Sequence, residues 1–95
     1  MNPPYEVRVS SVAHRQLSRL PTRVAPAVVE FLTAVLSENP LRLSKPLTGE
    51  FEGLRSARRG DYRVLIEVDE GARTVLVVRI AHRAEAYRPP PPSIG

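Results

Sequence analysis

Ninety-five residues and 10.6 kDa suffice for one compact domain and are too few for two. Apolar residues at 42% and charged residues at 25% give a globular composition, and the absence of cysteine excludes a disulfide framework, a thiolate metal site and a thiol nucleophile. The net charge is +4, Lys45 is the single lysine and every other cation is arginine. Arginine forks match phosphate oxygens two at a time, so the charge points to an anionic partner such as nucleic acid.

The chain opens on Met1-Asn2-Pro3-Pro4, with no charged-then-apolar leader, and its longest apolar runs are short, as in Val75-Leu76-Val77-Val78. The expected address is the cytoplasm, with no membrane span. Tyr5-Glu6-Val7-Arg8-Val9 alternates with period two, the mark of a half-buried strand. Ser10 or Ser11 then offers an N-cap, and Ala13, Leu17 and Leu20 predict a short helix over about residues 12–20. His14 falls on its polar side and carries no role. Leu20-Pro21-Thr22 makes a corner into a second helix with Thr22 as cap and Pro26 near the first turn. Val24, Val28, Phe31, Leu32, Val35 and Leu36 form its predicted buried face, and Asn39-Pro40 ends it. Residues 41–50 lack a clean period and read as a surface loop.

Strand patterns take over from Leu54. Leu54 to Arg58 is one strand, Arg59-Gly60-Asp61 a turn, Tyr62 to Val68 the next strand, Asp69-Glu70-Gly71 a second turn, and Thr74 to Ala81 the last strand. The expected fold is α+β: two N-terminal helices on one face of a mostly antiparallel four-stranded sheet. Residues 1–88 form the single domain and 89–95 a proline-rich flexible tail, a disordered end rather than a peptide ligand.

Strand parity predicts the two faces. Tyr62, Val64, Ile66 and Val68 pack on the helices, together with Leu76, Val78 and Ile80, while Arg63, Leu65, Glu67, Arg79 and Ala81 stand on the open side. Arg83 joins the open face if the last strand continues, and the strand before the Gly60 turn adds Arg55 or Arg58 according to register. A lone surface arginine is ordinarily solvated, but several on one face make a phosphate-sized positive field. His82 follows the last strand, and an imidazole exchanges protons near neutrality, so it is a candidate acid or base as well as a structural residue. Phosphate-binding glycine loops, a nucleophile elbow and a metal-ligand cluster are all missing from the sequence.

Three motifs, in order, carry a resemblance. Gly53-Leu54-Arg55-Ser56-Ala57-Arg58-Arg59-Gly60-Asp61-Tyr62-Arg63-Val64-Leu65 resembles the G-L-x-S-x-R-x-G-x-Y-R-hydrophobic signature of the RelE/ParE superfamily of toxins. Ile80-Ala81-His82-Arg83-Ala84-Glu85-Ala86-Tyr87-Arg88 resembles that family's I-x-H-R-x-x-x-Y-R close, and Asn39-Pro40 to Lys45-Pro46-Leu47-Thr48-Gly49 its N-P to K-P-L-x-G connector.

The resemblance implies the toxin of a type II toxin–antitoxin pair, and its RelE branch cleaves messenger RNA, generally in the ribosomal A site. It implies a cofactor-free, metal-independent attack of the ribose 2′-hydroxyl on the adjacent phosphate, leaving a 2′,3′-cyclic phosphate. It also implies a RelB-like antitoxin as partner in a hetero-oligomer. By match of motif, Arg63 and Arg83 are the implied phosphate-stabilising residues, Tyr87 stacks on a base or transfers a proton, and His82 completes the catalytic set. Arg55, Arg58 and Arg59 are the implied RNA-binding residues. Well-studied ribosome-dependent members carry lysines in the strand before the turn, where this chain has Leu54 and Ser56. Arginine holds its protons too firmly to be a base, which leaves His82, Glu52 and Glu85 as candidates. The alternative is the ParE branch, which inhibits DNA gyrase without a nuclease site.

Overall fold

The period-two segment after Tyr5 forms strand β1 (Glu6–Val9), and Ser10 ends it by capping helix α1 (Ser11–Ser18), its hydroxyl accepting from the Ala13 N–H at 3.1 Å. The structure, a computed structural model, describes residues 4–83. The last residues of the expected domain and the proline-rich tail therefore lie outside the described residues. Helix α2 (Ala25–Glu30) has Pro26 in its first turn, where a missing N–H is least costly. Thr22 is not its cap; the start is held instead by backbone bonds from Val24 and Ala25 to the Pro21 carbonyl.

The same helix continues through Phe31–Leu36 as a π-helix. Its i→i+5 bonding aligns Phe31 with Leu36, so these two and Leu32 are buried. Val35, expected on the buried face, is instead turned outward and 42% exposed. Thr33 and Ser37 bond back to the carbonyls of Val29 and Thr33 in this stretch.

Five strands make the sheet, in the order β1-β5-β4-β3-β2. Strand β2 (Ser44–Pro46) lies in the segment expected to be a loop, and the expected four-stranded sheet gains it as an edge. Three residues are too few to show a period, and Pro46 is tolerated because an edge strand need not donate on both sides. A short 3₁₀ turn (Gly49–Phe51) leads to β3 (Arg55–Arg59), β4 (Tyr62–Asp69) and β5 (Thr74–His82). The pairings are antiparallel except for β1, which lies parallel to β5. The helices fall between β1 and β2 in the chain. Gly60, at φ 60°, takes the first position of the two-residue β3–β4 turn, a conformation that suits glycine.

Ala13, Val28, Phe31, Leu32 and Leu36 from the helices meet Ala57, Val64, Ile66, Val75, Val77 and Ile80 from one face of the sheet. In β5 the expected core set of Leu76, Val78 and Ile80 is corrected. The β4–β5 register shifts between Leu65 and Ile66, leaving Val78 as an extra residue, so Val75 and Val77 join Ile80 in the core. One inserted residue reverses the parity of everything on one side of it.

Candidate functional site

The face away from the helices carries Lys45, Arg58, Arg63 and Arg79. Arg58 and Arg63 stand directly opposite each other across β3 and β4, and the next residue in that row is Ala81 of β5. The adjacent row reads Lys45, Ser56, Leu65 and Arg79 across β2 to β5. Beyond β5 the ladder runs one residue further, because the Arg83 N–H donates to the Asp61 carbonyl at 2.7 Å, and parity puts Arg83 beside the Arg58–Arg63 row.

Like charges placed directly opposite on a sheet repel. Arg58 spends one N–H on the Gly60 carbonyl at 3.2 Å, while Arg63 is half-buried and its Nη1 is buried without a hydrogen-bond partner among the described residues. A buried donor left unmade costs about 1–3 kcal/mol. A salt bridge of Arg8 with Glu6, at 2.9 Å, lies on edge strand β1, away from this pair. A guanidinium group has the donor geometry to hold two oxygens of an anion such as a phosphodiester, and two arginines stand paired here. Among the described residues, no group of three His, Cys, Asp or Glu is arranged to hold a metal ion. No helix among them is long and apolar enough to cross a membrane.

A sequence profile described as the ParE toxin of the type II toxin–antitoxin system parDE matches residues 7–87. The chain belongs to the RelE/ParE superfamily of type II toxins. This toxin is 49% identical over 85 residues to the Mycobacterium tuberculosis protein named Toxin RelE, covering 90% of this chain and 88% of the relative. Toxin RelG of the same organism is also 49% identical over 85 residues, covering 90% and 98%. The toxin's fold superposes on a chain of an M. tuberculosis RelBE toxin–antitoxin complex with a TM-score of 0.83 at 48% identity, covering 88% of this chain and 97% of that one.

The toxin brings together only part of the residue set that the motifs nominate. Arg58, Arg63 and Arg83 share the open face. Register settles the choice between Arg55 and Arg58: Arg55 pairs with core residue Ile66 and so faces the helix side. Its Nε donates to the Ser44 hydroxyl at 2.7 Å, and its Nη2 to the carbonyls of Leu41 and Ser44 at 3.1 and 3.0 Å. Arg59 also faces the helix side, opposite Tyr62, in a groove of about 240 Å³ that it shares with Arg23 and Asp61. His82, opposite Tyr62 across β4 and β5, also faces the helix side, its ring edge-on to Tyr62 with centroids 5.6 Å apart. Glu52 is exposed in the turn before β3. Tyr87 and Glu85 lie outside the described residues.

Lys45 carries no site role in the sequence reading, because residues 41–50 have no period from which to read its face. Its legible signals are its place in the Lys45-Pro46-Leu47-Thr48-Gly49 connector and its being the single lysine in an arginine-rich chain.

Proposed function

We propose that this toxin is a messenger-RNA endoribonuclease of the RelE kind, acting in the ribosomal A site within the cytoplasm. The observation that carries the reading is the facing Arg58–Arg63 pair with the idle Nη1 of Arg63, a cost to the folded chain that a bound phosphate would relieve. The names of the 49%-identical relatives support it. In this reading the ribose 2′-oxygen attacks the adjacent phosphorus. Arg58 and Arg63 hold the equatorial oxygens, and their charge stabilises the pentavalent state more than the ground state. Arg83, at the end of the same face, extends the cationic seat along the RNA backbone. The proposed products are a 2′,3′-cyclic phosphate and a 5′-hydroxyl.

A RelB-like antitoxin is the proposed partner, supported by the solved RelBE complex that this fold matches. The second reading, inhibition of DNA gyrase, is favoured by the ParE description of the matching profile. Adding the full chain to translating ribosomes with a defined message separates the two. Cuts with cyclic phosphate ends, at a rate unchanged by chelator, are the expected result. Intact message together with blocked gyrase supercoiling would overturn it in favour of the ParE reading, and intact message on stalled ribosomes would leave a binding protein without chemistry.

A further inference from the structure

Ser44 is buried in the edge strand, where its hydroxyl donates to the Pro40 carbonyl at 2.5 Å and accepts from Arg55 Nε at 2.7 Å. The Arg55 fork also satisfies the Leu41 and Ser44 carbonyls. Backbone carbonyls in an irregular connector need such partners, and here one guanidinium supplies two of them. The clamp fixes residues 40–44 against β3. That gives a three-residue strand ending in proline a definite register: Ser44 opposite Ala57, Lys45 opposite Ser56, Pro46 opposite Arg55. Ser44 and Ala57 face the helix side, so alternation turns Lys45 to the open face. There it is a diagonal neighbour of Arg58, about 7–8 Å away between Cα atoms, a span its four-methylene stem can bridge to a phosphate seated at that arginine.

Resting on the ribonuclease reading, we propose that Lys45 is the catalytic acid that protonates the leaving 5′-oxygen, and that Arg55 is a positioning residue that aims it. Among the described residues, the other titratable groups on the open face are arginines, which hold their protons, and carboxylates, which accept protons when ionised. Glu67 is one of those carboxylates and stands four residues along β4 from Arg63. His82 is turned to the other face beside Tyr62. The Lys45 ammonium carries a transferable proton and is exposed to substrate. In the step, the 2′-oxygen forms its bond to phosphorus while its proton passes to water. The bond from phosphorus to the 5′-oxygen breaks with its electron pair on oxygen, and Lys45 Nζ gives that oxygen a proton. Lysine then regains a proton from water, and nothing is oxidised or reduced.

The leaving group provides the test. Single-turnover cleavage is measured on ribosomes programmed with messages carrying either oxygen or sulfur at the scissile 5′ position. A thiolate departs without a proton. Lys45→Ala is expected to slow the oxygen substrate by about 10²–10⁴-fold and to cut the sulfur substrate close to the wild-type rate. Arg63→Ala is expected to be slow on both. Arg55→Ala and the milder Ser44→Ala should show the Lys45 pattern in weaker form, with folding checked by circular dichroism. Equal slowing of Lys45→Ala on both substrates, or full activity on the oxygen substrate, overturns the proposal while leaving the ribonuclease reading intact. A wild-type chain that cuts neither message overturns both.

Discussion

At Arg63 the chain sets a charged side chain directly opposite Arg58 and leaves a buried donor without a partner among the described residues. Neither feature stabilises the fold, so removing the side chain should be nearly free. Because a buried unmade donor costs about 1–3 kcal/mol, Arg63→Ala is expected to keep stability unchanged or raise it by up to that amount, read from denaturant midpoints. If the residue faces a developing phosphorane, its loss should raise the barrier by about 2.7–4 kcal/mol, roughly a hundred- to thousandfold in rate. Lysine at 63 should recover only part, since a point charge cannot hold two oxygens side by side. Arg59 supplies the control. It is one residue along the same strand from Arg58 but on the helix side, opposite Tyr62. Arg59→Ala should leave single-turnover cleavage unchanged; a loss as large as that of Arg63→Ala would sink the division of roles between the two faces.

The elements hold this face through an edge that the sheet itself does not finish. Strand β1 pairs with β5 only as far as Val9 opposite Val77, and the rest of β5 would show bare backbone on that side. The chain covers it with side chains from Ser10 and from helix α1. The Ser10 hydroxyl donates to the Val78 carbonyl at 3.3 Å while capping α1, and the Ile80 N–H donates to Gln16 Oε1 at 2.7 Å. Gln16→Leu fills the same space but leaves the Ile80 N–H unmade, so a loss of about 1–3 kcal/mol is expected in chemical denaturation. Ser10→Ala removes a cap and should cost about 0.5–2 kcal/mol. If both variants keep wild-type midpoints, this edge is covered by something else. These contacts also mark where reading the sequence succeeds and fails. Glu6–Val9, Tyr62–Asp69 and the Gly60 turn are legible because period and turn chemistry are local properties. Strand β2 is illegible because three residues held by Arg55 have no period of their own. Val78 and Val35 mislead for a shared reason: a bulge and a π-turn each break the regular spacing that the reading assumes. His82 reads from sequence as lying just past the last strand, whereas it is the last residue of β5, and its face depends on register with Tyr62, which a single strand cannot report.

The whole molecule divides its surface by chemistry. One face of the sheet is cationic, whereas the helical side leaves Val12, Val29 and Val35 at 45%, 41% and 42% exposure. A proposed antitoxin that neutralises this toxin must answer both: an acidic part for the arginines and an apolar part for the valines. The two contributions act on different rate constants. Long-range attraction to a chain of +4 accelerates encounter and is screened as the Debye length falls from about 10 Å at 0.1 M salt to about 3 Å at 1 M. Apolar contact acts after docking and sets how slowly the complex separates. The association rate of the purified pair is therefore expected to fall steeply with salt, while dissociation changes little. Val29→Asp should do the reverse, speeding dissociation with little change in association and none in single-turnover cleavage by the free toxin. Arg58→Ala combined with Arg63→Ala should slow association and flatten its salt dependence. Surface plasmon resonance at several salt concentrations reads all of these constants. If association is indifferent to salt, the cationic face plays no part in capturing the antitoxin. If Val29→Asp dissociates like the wild type, the antitoxin does not lie on the helical side.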